Sequence, residues 1–366
     1  MKRNCTDVLK AGILAGAAVY CTVMSENVSN AVSSALERCI CTLVPALYAM
    51  MILSSLLVRS GASAFIGRFA DRPARIIFGM SGEEFTAFAA GTFTGYLTGA
   101  KMLCQMNTEG RLSSFRGGLL CGTCFGAGPV FISCCIVSKL YGSSAVSELI
   151  LISTVSANII LALVISPFLR RIKQTGGNIP PVTVNSEILM DCTASAGRSM
   201  ADVCFITAAF SVISQMVTSC GAGEALGKAL KLTASRSEAS ANELVQPLFD
   251  VTAAGLLPAG DHTILPLICA YISFGGICVL VQLSSLCRGK FSILPVILMR
   301  GAAGSISFAV CQIISPYLLR NETVAVSALK ANLYRGISPV PTVMLMIMTF
   351  MLLCTCSGIS AKKGRH

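Results

Sequence analysis

Four polar side chains stand in stretches that are otherwise apolar, and each is of a type that binds rather than reacts. Arg300 lies inside ILPVILMRGAAGSISFAV, where a charge in a membrane-spanning helix costs about 2.5–3.5 kcal/mol on insertion scales. A cost of that size implies a partner: a structural ion pair with Asp250 or Asp202, or an anionic or carbonyl-bearing solute. Asp250 sits in PLFDVTAAG, a segment broken by Pro and Gly, whereas Asp202 is near the end of a span. Lys101 follows Gly99 and Ala100 directly, and its long stem allows it either to reach the membrane surface or to face the glycine break. Gln282 projects from an apolar run, where its amide bonds another helix or a solute.

The main chain is a second source of binding groups. Gly91, Gly95 and Gly99 recur at a regular spacing, and Gly126, Gly128 and Pro129 open the middle of the next apolar run. Backbone released from a helix inside a bilayer must line a cavity or be wrapped by protein, because hydrocarbon offers it no partner. Glycine also lets a solute approach the main chain closely. Half-helix ends of this kind hold ions or polar groups in transporters, and close packing of small residues gives the same sequence pattern.

Covalent chemistry has no such support. No nucleophile with its base, metal-ligand triad, phosphate-binding loop or dinucleotide fingerprint is present. No catalytic residue, metal site or cofactor is therefore expected, and the chain does not read as an enzyme. The 18 Cys lack metal-ligand spacing, and most, such as Cys39, Cys41, Cys134, Cys135, Cys278 and Cys311, read as small buried hydrophobes. Cys354 and Cys356 stand apart near the end of the chain, and the histidines are His262 and His366.

The elements that must position these residues are membrane helices. Of 366 residues 54% are hydrophobic and 12% charged, with no Trp, and the mean hydropathy is +0.74. Those values exclude a soluble domain of this length and make the lipid bilayer the first partner. The net charge of +11 lies between apolar runs, as a cytoplasmic positive bias requires, so no nucleic acid is expected. The fold class is an all-α polytopic membrane protein, with about eight transmembrane helices plus two broken or re-entrant segments. The spans fall near 8–25, 39–58, 117–138, 145–168, 196–218, 263–286, 291–315 and 337–357, the first of them uncleaved, and the broken segments are 85–106 and 245–258. If 85–106 re-enters, most Lys and Arg fall on one side with both termini cytoplasmic; if it crosses, the two sides are nearly even. Re-entry is the expectation.

An inverted repeat is also expected. Ser34 to Gly61 lays without gaps on Ala194 to Gly221, each copy carrying a polar start, an Arg and an apolar run; each is followed by a broken segment and a basic turn, at Gly110 and at Gly289. Opposed copies hold solute near the midplane in transporters. The organisation is then 1–33 as tail and first helix, 34–168 as the first repeat, 169–193 as a cytoplasmic linker, 194–335 as the second repeat, and 336–366 as last helix and basic tail. The polar stretch 222–246 reads as an extramembrane helix or loop.

At these same positions the sequence resembles the nucleoside-recognition, or Gate, domain family, and within it the YlbJ-type sporulation integral membrane proteins. The resemblance is carried by GYLTGAKMLCQMNTEGRLS with Gly95, Tyr96, Gly99 and Lys101, by GAGPVFI with Gly126, Gly128 and Pro129, by SFGGICVLVQ with Gly275, Gly276 and Gln282, and by Arg300. Asp250, Thr252 and Gly255 stand for a Glu-x-Thr-Asn-Gly element, whereas Phe125, Gly126, Leu280 and Gly301 replace polar residues of the family's pattern. The resemblance implies an integral cell-membrane protein of a spore-forming bacterium, transporter-like, binding or moving a small polar solute that is nucleoside-like or a cell-wall precursor during spore envelope formation. Other sporulation membrane proteins are implied as partners. A non-transporting scaffold with a degenerate solute site is the alternative.

Overall fold

Two serines mark where the chain turns back into the apolar layer. Ser81 and Ser240 each cap a helix while the glutamate three residues on, Glu84 or Glu243, bonds back to the serine N–H. These reciprocal capping boxes satisfy helix-end donors that hydrocarbon leaves bare. The computed structural model describes residues 2–172, 182–233 and 237–319.

The chain begins with α1 (Lys2–Val23), α2 (Ser25–Arg38), a wide turn at Cys39–Leu43 and α3 (Val44–Arg59). Gly61, at φ 75°, then swings the chain into α4 (Ala62–Phe78), and the two arms Leu47–Arg59 and Ala62–Phe78 are bent by 78°. α4 leaves Phe65, Phe69 and Ile76 uncovered beside Arg68 and Arg72, the pattern of a helix lying in a membrane interface.

α5 (Gly82–Thr94) and α6 (Thr98–Thr108) fold against each other around Gly95 to Leu97. Arg111 pairs with Glu83 and so joins the two open ends. The segment 85–106 thus returns to the end from which it came. α7 (Ser114–Thr123) stops at an open stretch from Cys124 to Gly128, and α8 (Pro129–Leu140) resumes beyond it. The predicted span 117–138 is corrected here: glycine and proline divide it into two short helices. α9 (Ser144–Arg171) and α10 (Ser186–Ser219) are long and unbroken.

A glycine turn at Gly221, again φ 75°, leads from α10 to α11 (Ala222–Thr233), so part of 222–246 is helical. α12 (Ala241–Phe249) ends at Asp250 and passes into a tight helical turn over Val251–Leu256. After a further turn at His262–Ile264 come α13 (Leu265–Phe274) and α14 (Gly276–Cys287), separated at Gly275, and then α15 (Leu294–Leu318). There is no strand among the described residues.

Length and composition qualify 4 helical stretches as membrane spans, 144–171, 186–219, 262–286 and 294–318, and up to 6 if each bent pair counts as one. The expectation of about eight is not reached among the described residues: 117–138 is divided, and 8–25 and 39–58 belong to bent pairs. The last expected span, 337–357, and Cys354 and Cys356 lie outside the described residues, as do residues 173–181 of the 169–193 linker. Large apolar side chains on the outer faces of α9 and α15, among them Leu163, Val164, Phe168, Leu298 and Ile313, are exposed. Bare apolar surface on that scale needs lipid beside it, and the chain is an integral membrane protein. Cys39, Cys135, Cys278 and Cys311 are buried and unpaired, whereas Cys41 and Cys134 are exposed.

Candidate functional site

The places where helices stop are packed against one another. Backbone meets backbone at the first contact: a Cβ on Gly91 would stand 2.3 Å from the Cys124 carbonyl oxygen, one on Gly126 2.8 Å from that of Thr92, and one on Gly128 2.8 Å from that of Phe93. The α5 end therefore lies directly on the open stretch between α7 and α8. Gly99 adds to the contact, with Cys124 Cβ 2.7 Å from where its own Cβ would be. Tyr96, at the hairpin tip, packs its ring on Phe125 at 4.8 Å, tilted by 49°, and donates its hydroxyl to the Ile272 carbonyl at 2.9 Å. That bond ties the first hairpin to the end of α13. Gly275 sits at φ 89° with the Phe125 ring where a side chain would be, and Gly276 packs on Val251 N.

Arg300 closes this arrangement from behind. Its side chain is completely buried, and Nη1 donates to the carbonyls of Phe125 (3.0 Å) and Ser273 (3.2 Å) and to Asn158 Oδ1 (3.1 Å). Asn158 Nδ2 donates to the same Phe125 carbonyl at 2.9 Å. One main-chain oxygen in the first break is thus held from α9 and α15 together. The guanidinium carbon lies 5.1 Å from the Phe125 ring centre, within cation–π range. Neither Asp250 nor Asp202 pairs with Arg300; Asp250 instead faces Arg38 Nη2 at 3.7 Å.

In front of these breaks lies an open cavity with about 740 Å³ of empty space, its mouth included. Its walls are largely apolar, from Leu43, Met51, Phe131, Val203 and Val279, and polar groups interrupt them at a few points, as in most solute sites. Of the residues singled out by sequence, Gly95, Tyr96, Lys101, Gly128, Asp250, Thr252 and Gln282 line it. Gly99, Gly126, Pro129, Gly275, Gly276 and Arg300 do not; they shape the breaks that form its back wall.

Each polar group on the cavity is already oriented. Lys101 Nζ donates to Ser199 Oγ at 2.6 Å rather than reaching out to the surface. Asp250 accepts from Thr252 N at 3.0 Å and from Thr252 Oγ1 at 2.6 Å, which locks its carboxylate at the head of the turn that follows. Gln282 is buried, with Nε2 3.5 Å from Cys278 Sγ; a thiol is a weak acceptor, so most of the amide's bonding capacity is left for a solute. No group of three or more potential metal ligands occurs among the described residues.

Several contributors were not anticipated. Ser54, Thr98 and Thr207 line the cavity, but hydroxyls in apolar spans are too common to stand out in sequence. Asn158 carried a readable signal, an amide within the 145–168 span. Arg38 carried one as well, since Arg38 and Arg198 occupy the same place in the two aligned segments.

No protein-family model matches the sequence, and no curated protein matches it. A solved structure that resembles the chain is described as CNTnw in an inward-facing substrate-bound state; it is 13% identical, the likeness covers 85% of this chain and 86% of that one, and the TM-score is 0.48.

Proposed function

We propose that this is a transporter-like membrane protein that binds a small polar solute in the cavity between the two hairpin breaks. One observation carries the reading: Lys101, Asp250, Thr252 and Gln282, from distant parts of the sequence, converge on one cavity otherwise walled by apolar side chains. An ammonium, a carboxylate, a hydroxyl and an amide together suit a solute rich in both donors and acceptors, such as a nucleoside-like molecule or a cell-wall precursor. The setting in spore envelope formation, with other sporulation membrane proteins as partners and both termini cytoplasmic, rests on the sequence resemblance and the charge pattern.

The order of elements supports an inverted repeat, which would allow the site to face either side. Each half has a long helix, a glycine turn (Gly61 or Gly221), an amphipathic helix, a serine capping box, a segment broken at Gly95 or Asp250, a divided apolar stretch and an unbroken helix. In this alignment Gly110 corresponds to Gly260 and Gly142 to Gly289, all with positive φ. The partner of 263–286 is then 114–140, not 85–106.

The test is ligand-dependent melting of the purified protein against nucleosides and cell-wall precursors, followed by uptake into proteoliposomes. A saturable rise in melting temperature with one solute class, abolished in Gln282→Leu and Lys101→Met, is the expected result. No response to any member of the panel would refute solute binding. The seclusion of Arg300 behind Phe125 favours a second reading, a scaffold without transport. Binding without uptake would select it.

A further inference from the structure

A second cavity, of about 570 Å³, shares Asp250 with the first and lies among α2, α10 and α12. Its polar lining comes chiefly from Ser34, Arg38, Ser214, Gln215, Gln246 and Asp250. Two donors here lack an acceptor. Arg38 Nε is buried without a partner, and so is Ser214 Oγ, on a residue only 5% exposed. Buried polar groups left open in this way cost about 1–3 kcal/mol each, so they point to something that fills them.

The carboxylate beside them does not. Asp250 already receives Thr252 N on one oxygen and Thr252 Oγ1 on the other. It forms an ion pair with Arg38 Nη2 at 3.7 Å, which balances charge but is too long for a hydrogen bond. The neighbouring hydroxyl of Ser211 is committed to the Ala31 carbonyl at 3.1 Å. The deficit is therefore in acceptors, and it is centred on a guanidinium.

A carboxylate meets that deficit best, because its two oxygens lie in one plane and match the guanidinium fork. The nearby Asp250 charge limits what can enter, since a dianion would be repelled more strongly than a monoanion at the same distance. We propose that this second cavity is a binding site for a small monocarboxylate, held by Arg38 and by the Ser214 hydroxyl, with the amides of Gln215 and Gln246 at its edge. The site meets the solute cavity at Asp250, while Arg38 and Ser214 belong to it alone.

The full chain in detergent is titrated with sodium acetate at constant pH and ionic strength, with chloride as balancing salt, and melting temperature is followed. Acetate should raise it saturably, while acetamide, of the same shape but uncharged, should not. Arg38→Gln should abolish the response, and Ser214→Ala should raise the half-saturating concentration by about fivefold, as loss of one hydrogen bond implies. Gln282→Leu, in the first cavity, should leave it unchanged. Ser214→Ala removes one small buried hydroxyl and provides the answer even if Arg38→Gln fails to fold. A flat acetate titration, an equal response to acetamide, a stronger response to inorganic phosphate, or an unaltered response in Ser214→Ala would overturn the assignment.

Discussion

Two arginines are sealed inside this molecule, and their surroundings differ in kind. Arg116 packs behind the base of the first hairpin, where Nε and Nη2 donate to the two oxygens of Glu84 at 2.6 and 2.8 Å. Its remaining donors reach the carbonyls of Gly79, Leu169 and Ile172. Arg300 has no carboxylate within ion-pair distance among the described residues; its bonds all leave from Nη1, while Nε and Nη2 have no partner. The first guanidinium is neutralised and saturated. The second is held by dipoles and one aromatic face, which is enough to align two main-chain breaks but not to satisfy the charge. A buried charge can therefore serve as a rivet at one place and as a clamp on irregular backbone at another, and the count of unpartnered nitrogens tells the two apart.

The sharpest way to break this contrast is to remove the acid. Glu84→Ala strands Arg116 without its counter-charge and should destabilise the protein by about 3–5 kcal/mol, read as melting in detergent, with partial recovery in the double variant Glu84→Ala, Arg116→Met. Arg300→Met discards three hydrogen bonds but also two unsatisfied donors, so a smaller loss of about 1–3 kcal/mol is expected. If Arg300→Met proves more damaging than Glu84→Ala, the contrast is inverted. Tyr96→Phe keeps the ring contact with Phe125 and loses only the bond to Ile272, for about 1 kcal/mol. Gly301→Ala is the smallest: with open space around that position, the added methyl should stabilise α15 by about 0.5 kcal/mol, showing that effects at Arg300 do not spread to the residue beside it.

Much of the framework could be read from residue order alone. Glycine and proline within apolar runs mark chain breaks regardless of context, so the divisions around 91–99, 126–129 and 250–255 were visible. Placing 117–138 as one span failed because hydropathy averages over a five-residue interruption, Cys124 to Gly128, that leaves the mean apolar. The partner of Arg300 was sought among acids because side chains can be read from a sequence, whereas its acceptors at Phe125 and Ser273 are main-chain oxygens that every residue possesses.

The seam between α5 and the Cys124–Gly128 stretch has a consequence of its own. Where Gly91, Gly126 and Gly128 face carbonyl oxygens no knob enters a hole, so the register of the seam is left to the Tyr96 ring at the hairpin tip, against Phe125. Replacing any of these glycines by alanine would place a methyl carbon 2.3–2.8 Å from an opposing oxygen, forcing the surfaces apart. The joint therefore owes its tightness to what those three residues lack, and its registration to the one aromatic ring beside them.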